Sequence, residues 1–493
     1  MDINDQASSR PGSAQSGPPA PAGRPPCDLA GPFRPDWDSL KGYVTPRWYE
    51  DAKVGIFVHW GAYAVAGFGN EWYPRNMYRV DAPEYAHHRK VFGPQDEVGY
   101  KDLIERFTAP AFDADSWARI FRMSGAQFVV PVAEHHDGFA MYDSALSRWT
   151  SVHKGPRRDV IGELADAVRR ESMVFGVSSH RAEHWWFFNG GMAFPSDVRA
   201  MSDADLYGPA QPETLPPSEQ FLDDWLARSC ELVDRYEPQL VWFDWWIEQS
   251  AFEPYLRRFA AYYYNRASQW RRGVVINYKH NAFADGSAVF DLERGQLDTV
   301  SPRVWQCDTS VGKKSWGYIP DEDYKTVDTL VCDLADVVSK NGVLLLNIGP
   351  AADGTIPREQ QELLSGMGRW LERYGESIYG TRPWTIYGEG PTKTVPGEFH
   401  DTDRAHFSCA DVRYTRRAGA LYAIVLGPAR SGTVTLRALS SDIPLERRSL
   451  AKVELLGHDA PLSWSSRPEG LVVDVTDDDA ASGPFALRLT FGS

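Results

Sequence analysis

Short runs of apolar residues recur along the first three quarters of the chain, with helical patterns between most of them. The apolar runs are VGIFVH (54–59), QFVVPVA (127–133), MVFGVSS (173–179), QLVWFDW (239–245), VVINY (274–278), AVFDLE (288–293), VWQCDTS (304–310) and VLLLNIGP (343–350). Near-continuous Val, Ile, Leu and Phe is typical of parallel strands buried on both faces. The clearest helical patterns cover residues 159–172, 218–237 and 321–340. Eight strands alternating with helices predict an α/β fold, a (β/α)8 barrel. A doubly wound open sheet is the alternative, but no GxGxxG segment follows an early strand.

The hydrophobic pattern changes after about residue 380. Apolar and polar residues alternate in ALYAIVLGP, TVTLRAL, KVELLG, LVVDVT and FALRLTF, with turn signals between these segments. This pattern predicts an antiparallel β-sandwich, for which we expect a packing role. The first residues are rich in Pro, Gly, Ser and Ala, which is typical of disorder. The predicted organisation is therefore a disordered leader (1–35), a catalytic barrel (36–380) and a C-terminal sandwich (381–493).

Composition and charge narrow the classes of partner. The net charge is −15 and no basic stripe is present, which argues against nucleic acid. No run of about 18 apolar residues occurs, so no membrane-spanning segment is expected. Five scattered cysteines without a CxxC pair indicate neither a disulfide framework nor a thiolate metal site. The leader has no apolar stretch typical of a signal peptide, so a cytoplasmic location is expected. A secreted or periplasmic location is the alternative if the true start differs.

Polar residues follow or end most of the predicted strands. They are His59, Glu134, His135, His136, Asp137, His180, Asp244, Asn277, Glu293, Asp308 and Asn347. Any one of them is compatible with a capping or turn role. Because barrel active sites are built at the carboxyl ends of the strands, the whole set indicates an enzyme. The eighteen tryptophans fit a sugar-binding cleft or an aromatic-rich core equally well.

Asp244 is the first candidate catalytic residue. It ends a strongly apolar strand within VWFDWW, where an ionised carboxylate is costly unless it is paired or functional. Retaining glycoside hydrolysis needs a second carboxyl group that acts as acid and then as base. The candidates are Glu248, Glu253, Asp291, Glu293 and Asp298. Glu293 ends another strand and is favoured, and Asp291 is its main competitor.

Five sequence blocks together resemble a known enzyme family. They are WYEDAKVGIFVHWGAYAVAGFGNEWYPRNMY, AEHHDGFAMYDS, YEPQLVWFDWW, WQCDTSVGKKSWGY and SKNGVLLLNIGPAADGTIP. In this order they resemble family 29 of the glycoside hydrolases, the α-L-fucosidases. The resemblance runs from about residue 40 to the end of the predicted barrel. It implies a retaining exo-α-L-fucosidase that releases terminal fucose from fucosylated oligosaccharides or glycoconjugates.

The resemblance also implies roles for individual residues. Asp244 corresponds to the nucleophile and Glu293 to the general acid/base. The residues that would bind the fucose hydroxyls are His59, Glu71, Trp72, His135 and His136. Trp242 and Trp316 would line the same pocket, with Trp242 near the C5 methyl group. No cofactor and no metal are expected, because adjacent histidines point apart on a strand and no third ligand is spaced to complete a metal site.

One block departs from the family pattern. Many members carry a tyrosine pair after the third strand, whereas this chain has Ser178 and Ser179 in FGVSSHRAEHWW. His180, Glu183 or His184 would then take over part of the tyrosines' work, or the outer subsite differs. The alternatives to an α-L-fucosidase are a related retaining glycosidase acting on α-L-galactose and a catalytically silent fucose-binding protein. Homo-oligomers are common in the family and are compatible with this chain.

Overall fold

Eight parallel strands close into a barrel in the computed structural model, which describes residues 31–402, 406–440, 450–458, 460–475, 477–478 and 480–492. The strands are β1 (Val54–Val58), β2 (Phe128–Glu134), β3 (Val174–Ser179), β4 (Leu240–Phe243), β5 (Val275–Tyr278), β6 (Val289–Glu293), β7 (Trp305–Ser310) and β8 (Gly342–Ile348). Ile56 of β1 lies opposite both Val129 of β2 and Leu346 of β8, which closes the sheet. The barrel prediction is confirmed. Of the expected leader, residues 1–30 lie outside the described residues.

Helices cover the outside of the barrel. They are α1 (Trp37–Leu40), α2 (Arg47–Ala52), α3 (Tyr73–Asn76), α4 (Pro83–Val91), α5 (Tyr100–Arg106), α6 (Ala114–Met123), α7 (Val160–Arg170), α8 (Ala204–Tyr207), α9 (Glu219–Tyr236), α10 (Glu253–Trp270), α11 (Val327–Ser339) and α12 (Arg358–Tyr374). Helix α7 shows why they form. The Asp159 carboxylate accepts a hydrogen bond from the Gly162 backbone N–H (2.9 Å), which caps the first turn. Ile161, Leu164 and Val168 recur at helical spacing and are buried.

Side chains alternate between the inside and the outside of the barrel. The interior cluster includes Phe57, Val130, Leu240, Val275 and Leu345, and Tyr49 of α2 packs against it from below. Their neighbours on the same strands, such as Ile56 and Val129, belong to the larger core between the barrel and its helices. The barrel is therefore a filled core at its amino-terminal end, as expected for eight strands.

Two antiparallel sheets follow the barrel. Their strands are β9 (Arg382–Glu389), β10 (Val412–Arg417), β11 (Ala420–Val425), β12 (Thr433–Leu436), β13 (Leu450–Leu455), β14 (Trp464–Arg467), β15 (Gly470–Asp474) and β16 (Phe485–Phe491). One sheet has the order β13-β16-β11-β10-β9 and the other β12-β15-β14. The sandwich prediction is confirmed. Strands β9, β10 and β14 were not predicted, because β9 and β14 are not buried and β10 ends in exposed arginines.

The described residues were compared with the sequence expectations on disulfides and membrane-spanning helices. Cys230, Cys307, Cys332 and Cys409 form no disulfide. Cys27 lies outside the described residues. Within the part of the chain that the structure describes, no helix is long and apolar enough to cross a membrane.

A buried ion cluster joins the C-terminal sheet to the barrel. Asp336 of α11 accepts hydrogen bonds from Arg413 Nε (2.6 Å) and Lys340 Nζ (2.7 Å). The Asp336 side chain is 0% exposed and that of Arg413 is 5% exposed. Burial alone would raise the pKa of Asp336, yet Arg413 and Lys340 hold it below its ordinary value. The carboxylate therefore depends on both cations.

Arg413→Met should destabilise the protein by about 3 kcal/mol, because it leaves a buried carboxylate with one partner instead of two. Chemical denaturation followed by tryptophan fluorescence measures the change. Arg358→Met is the matched control, since the side chains of the Arg358–Glu362 pair are 88% and 62% exposed. Solvent and salt screen an exposed pair of this kind, so its loss should change stability little. Equal losses in the two variants would contradict a stabilising role for the buried cluster.

Candidate active site

Strand alternation places polar side chains at the carboxyl-terminal mouth of the barrel. Because inward positions recur every second residue, His59 lies on the same side of β1 as Phe57 of the interior cluster. Likewise, Asp244 follows Trp242 of the interior cluster by two residues and lies on the same side of the chain. Equivalent inward positions at the ends of β3, β5, β6 and β8 hold His180, Lys279, Glu293 and Asn347, respectively. The apolar interior thus gives way to a polar layer at the mouth.

Asp244 is held by three donors. Its Oδ1 accepts a hydrogen bond from the Trp245 backbone N–H (2.9 Å), and its Oδ2 from His180 Nδ1 (2.9 Å). Nε2 of His136 lies 3.5 Å from the same Oδ2. The residue is 8% exposed, so it still reaches solvent. This carboxylate is oriented without being sealed in the core.

The two histidines beside Asp244 differ in charge. Burial lowers the pKa of His180 well below its ordinary value, so its ring is neutral. Because its Nδ1–H donates to Asp244, its Nε2 accepts a hydrogen bond from Ser178 Oγ (3.0 Å). His136 is the opposite case, because Glu183 Oε2 lies 2.9 Å from its Nδ1. Burial lowers the pKa of His136, but Glu183 and Asp244 outweigh it and raise that pKa to about 9.

Glu293 is paired with the buried Lys279. Its Oε2 accepts a hydrogen bond from Lys279 Nζ (2.8 Å), and its side chain is 13% exposed. The same Nζ lies 3.3 Å from Asp291 and 3.2 Å from Asp308. Burial raises the pKa of both aspartic acids. Lys279 was missed in the sequence, although it lies one residue beyond β5 and in phase with the inward Asn277.

The competing carboxyl groups lie elsewhere. Asp291 is 0% exposed and accepts hydrogen bonds from Gln306 Nε2 (2.6 Å) and Trp242 Nε1 (3.1 Å), so it lies below the mouth. Glu253 starts α10 and its side chain is half exposed. Asp298 is exposed in the loop that precedes β7. Glu248 lies near the mouth, 3.6 Å from His280.

His59, His135 and Glu71 lie around the same mouth, whereas Asn277 lies deeper and donates to the Tyr49 hydroxyl (3.2 Å). His59 Nδ1 is hydrogen-bonded to Asn347 Oδ1 (2.7 Å), and burial lowers the pKa of His59 to about 3. The His135 ring stacks on that of His180, with centroids 4.7 Å apart. Burial lowers the pKa of His135 too, and its Nδ1 has no hydrogen-bond partner among the described residues. Glu71 Oε2 accepts a hydrogen bond from the Trp316 backbone N–H (2.9 Å).

Three tryptophans occupy different depths. Trp72 is half-buried, with its ring 4.9 Å from that of His136. Trp316 is half-buried, with its ring 5.2 Å from that of His59. Trp242 is only 2% exposed and packs inside the barrel against Phe57. Of the three, Trp242 therefore lies deepest, beneath the mouth.

A cavity of about 590 Å³ opens beside these groups. Its lining includes Glu71, Trp72, Trp245, Lys279, Glu293 and Trp316. Residues 398, 399, 401 and 402 also line it, although they follow β9. The C-terminal region was expected to have a packing role, but this segment also forms part of the cavity wall.

Two sets of side chains are close enough to hold a cation. They are His59 with His135 and His180, and His136 with His180 and Asp244, each with ligand atoms within 4.8 Å of one another. The sequence argument that no third ligand is available is therefore wrong. In the second set Glu183 and Asp244 raise the pKa of His136 to about 9, so a cation bound there would have to displace a proton from His136.

Known proteins match the chain along most of its length. The α-L-fucosidase family model matches residues 27–376, and the model of the α-L-fucosidase C-terminal domain matches residues 406–490. The chain is 31% identical to the tissue α-L-fucosidase of Rattus norvegicus over 472 residues, 93% of this chain and 92% of that protein. It is 31% identical to the plasma α-L-fucosidase of Homo sapiens over 469 residues, 91% and 90% of the two chains.

A solved structure agrees with these sequence matches. The α-fucosidase of Thermotoga maritima, in complex with a mechanism-based inhibitor, superposes with a TM-score of 0.75 at 29% identity. The match covers 93% of this chain and 100% of that one. The fold, the two matched domain models and the relatives all agree: the chain belongs to the α-L-fucosidase family and is a glycoside hydrolase.

Proposed function

We propose that this protein is a retaining exo-α-L-fucosidase with Asp244 as nucleophile and Glu293 as general acid/base. The observation that carries the proposal is the arrangement of two partly exposed carboxyl groups about Lys279. Asp244 is held by His180 and the Trp245 N–H, and Glu293 by Lys279, whose charge also acts on Asp244. They come from the ends of β4 and β6 and can approach one sugar from two sides.

The carboxyl groups around Lys279 differ in their access to a substrate. Asp291, Glu293 and Asp308 surround one ammonium group, so the fully ionised cluster would carry a net charge of about −2 in a buried setting. Burial raises the pKa of Asp291 and Asp308, and a proton held on that pair lowers this cost. Of the three carboxyl groups only Glu293 lines the cavity. It is therefore the member of the cluster that can meet the oxygen of a leaving group.

The reaction then takes two displacement steps. In the first, an Asp244 oxygen attacks C1 of the fucosyl group, the C1–O bond to the leaving group breaks, and Glu293 protonates the departing oxygen. In the second, water attacks C1, Glu293 takes its proton, and the ester bond to Asp244 breaks. The imidazolium of His136 stabilises the Asp244 carboxylate before attack and after release.

The polar layer of the mouth supplies the fucose-binding groups. We assign His59, Glu71, Trp72, His135 and His136 to the three hydroxyl groups. His135 has an unpartnered buried nitrogen among the described residues, and such a group costs free energy unless a ligand satisfies it. Trp316 forms a wall and Trp242 closes the base of the pocket, where an apolar surface suits the C5 methyl group. A sugar lacking a matching hydroxyl would leave buried polar atoms unpaired.

Asp244→Gly should lower turnover of a fucosylated oligosaccharide on the order of 10³-fold or more, because no covalent intermediate can form. With an activated aryl fucoside, azide can enter the vacated space and restore part of the rate, giving β-L-fucosyl azide. Product analysis by NMR measures both effects. Asp244→Asn is the matched control, since it also lacks the nucleophile but leaves no space, and azide should not rescue it. Near-normal activity of either variant would remove Asp244 from this role.

Glu293→Ala should impair cleavage of a fucosyl oligosaccharide far more than release of nitrophenolate from an aryl fucoside, because nitrophenolate needs little protonation to leave. Steady-state kinetics on both substrates measures the difference. Glu253→Gln is the matched control, because this half-exposed carboxyl group at the start of α10 does not line the cavity and should show no such dependence. If Asp291→Ala or Glu253→Gln shows the dependence and Glu293→Ala does not, the acid/base assignment is wrong.

Activity should survive EDTA unchanged, since the proposed chemistry uses only side chains. The assay compares the protein before and after chelation and dialysis, with Zn²⁺ and Mn²⁺ added back separately. Loss of activity on chelation with recovery on metal addition would instead assign one of the two histidine-containing sets to a cation.

A further inference from the structure

Part of the cavity wall is fastened to the end of β6 by backbone hydrogen bonds. Residues 397–402 lie between β9 and β10 in sequence. The N–H of Gly397 donates to the carbonyl of Gln296 (2.9 Å), and the N–H of Gln296 donates back (3.2 Å). The N–H of Phe399 donates to the carbonyl of Glu293 (3.0 Å). The segment is therefore positioned by the strand that carries the acid/base.

Asp401 anchors the other end of the segment. Its Oδ2 accepts hydrogen bonds from Lys325 Nζ (2.6 Å) and Thr309 Oγ1 (2.6 Å), and Arg294 lies 3.6 Å away. Asp401 is 5% exposed. Burial would raise its pKa, but Lys325 and Arg294 hold that pKa below its ordinary value. A charged hydrogen-bond network of this kind fixes Phe399 between two tied positions.

Phe399 has two unfavourable properties in this position. Its side chain is among the exposed large hydrophobic groups, with 59% of the residue accessible. Its φ is 59°, in the left-handed region that a bulky residue rarely adopts. Such strain persists where the surroundings impose it, and it is concentrated at ligand-binding positions. An exposed ring held in strained backbone on a cavity wall indicates a contact with a ligand.

The position of the ring limits what that ligand can be. Glu293 must protonate the oxygen that joins fucose to the next group, so that group leaves on the Glu293 side of the cavity. Phe399 is hydrogen-bonded through its backbone to Glu293, and half-buried Trp245 lines the same cavity. Aromatic faces suit the apolar C–H faces of pyranose rings. His280, Lys313 and Lys314 line the same cavity and offer polar partners for hydroxyl groups.

We propose that Phe399 is the stacking platform of a subsite for the sugar that leaves when fucose is cleaved. The inference rests on the proposed function and adds the substrate class, an oligosaccharide whose second residue is a pyranose with an accessible C–H face. Recognition of that residue thus depends on a segment beyond the barrel. The ring touches the leaving sugar and takes no part in the displacement at C1.

Phe399→Ala tests the proposal with two substrates. Alanine keeps the Cβ atom and the strained backbone, so only the ring is lost. The value of kcat/KM for a fucosyl disaccharide should fall about fivefold to tenfold, mainly through KM. The value for α-L-fucosyl fluoride, which has no leaving sugar, should stay within about twofold of wild type. Phe399→Trp should retain most of the activity on the disaccharide.

Three comparisons keep the result unambiguous. Trp464→Ala removes another exposed aromatic ring that does not line this cavity, and should change neither substrate. Equal losses on both substrates in Phe399→Ala, without recovery in Phe399→Trp, would show a structural role and overturn the proposal. Unchanged kinetics on both would also overturn it. Wild-type protein that cleaves neither substrate would instead contradict the proposed function itself.

Discussion

A carboxylate at 8% exposure must receive hydrogen bonds and charge from its surroundings, and the mouth of the barrel is organised around this requirement of Asp244. The Trp245 N–H holds one oxygen, while a neutral His180 and a protonated His136 address the other. Burial keeps His180 neutral and Ser178 is hydrogen-bonded to its second ring nitrogen, whereas Glu183 favours the protonated form of His136. The aromatic core of the barrel supports these rings from below. Ser178 and Glu183, which contact these two histidines, both belong to the block that departs from the family's tyrosine pair.

The hydrophobic pattern of the sequence was sufficient to predict the strands whose formation is decided by burial. All eight barrel strands follow the predicted apolar runs, and the five predicted sandwich strands follow apolar segments separated by turn signals. Strands such as β14, which is largely exposed, carry no such pattern. The polar residues at strand ends also predicted a cluster, and His59, His180, Asp244 and Glu293 lie together at the carboxyl-terminal mouth of the barrel. Asp291 and Glu293 could not be separated by spacing, because both face inward on β6, and only their burial distinguishes them.

Other parts of the site depend on tertiary contacts that no local pattern encodes. Phe399 is held at the cavity by a backbone hydrogen bond to Glu293, a residue more than a hundred positions earlier in the sequence. The third ligand atoms near His135 and His136 come from separate strands, so adjacent residues gave no indication of them. Lys279 is intermediate, since strand alternation places it inward but its three carboxylate partners come from β6 and β7. Residues of the barrel and of the segment after β9 therefore line one cavity together.

The proposed mechanism requires Asp244 to act as a nucleophile, and the configuration of the first product tests this role. Two successive displacements at C1 retain configuration, whereas direct attack by water inverts it. Proton NMR of an aryl α-L-fucoside during the first minutes of hydrolysis observes the anomeric signal before mutarotation mixes the anomers. We predict that α-L-fucose appears first and β-L-fucose only later. Initial formation of β-L-fucose would contradict the covalent mechanism and the role assigned to Asp244.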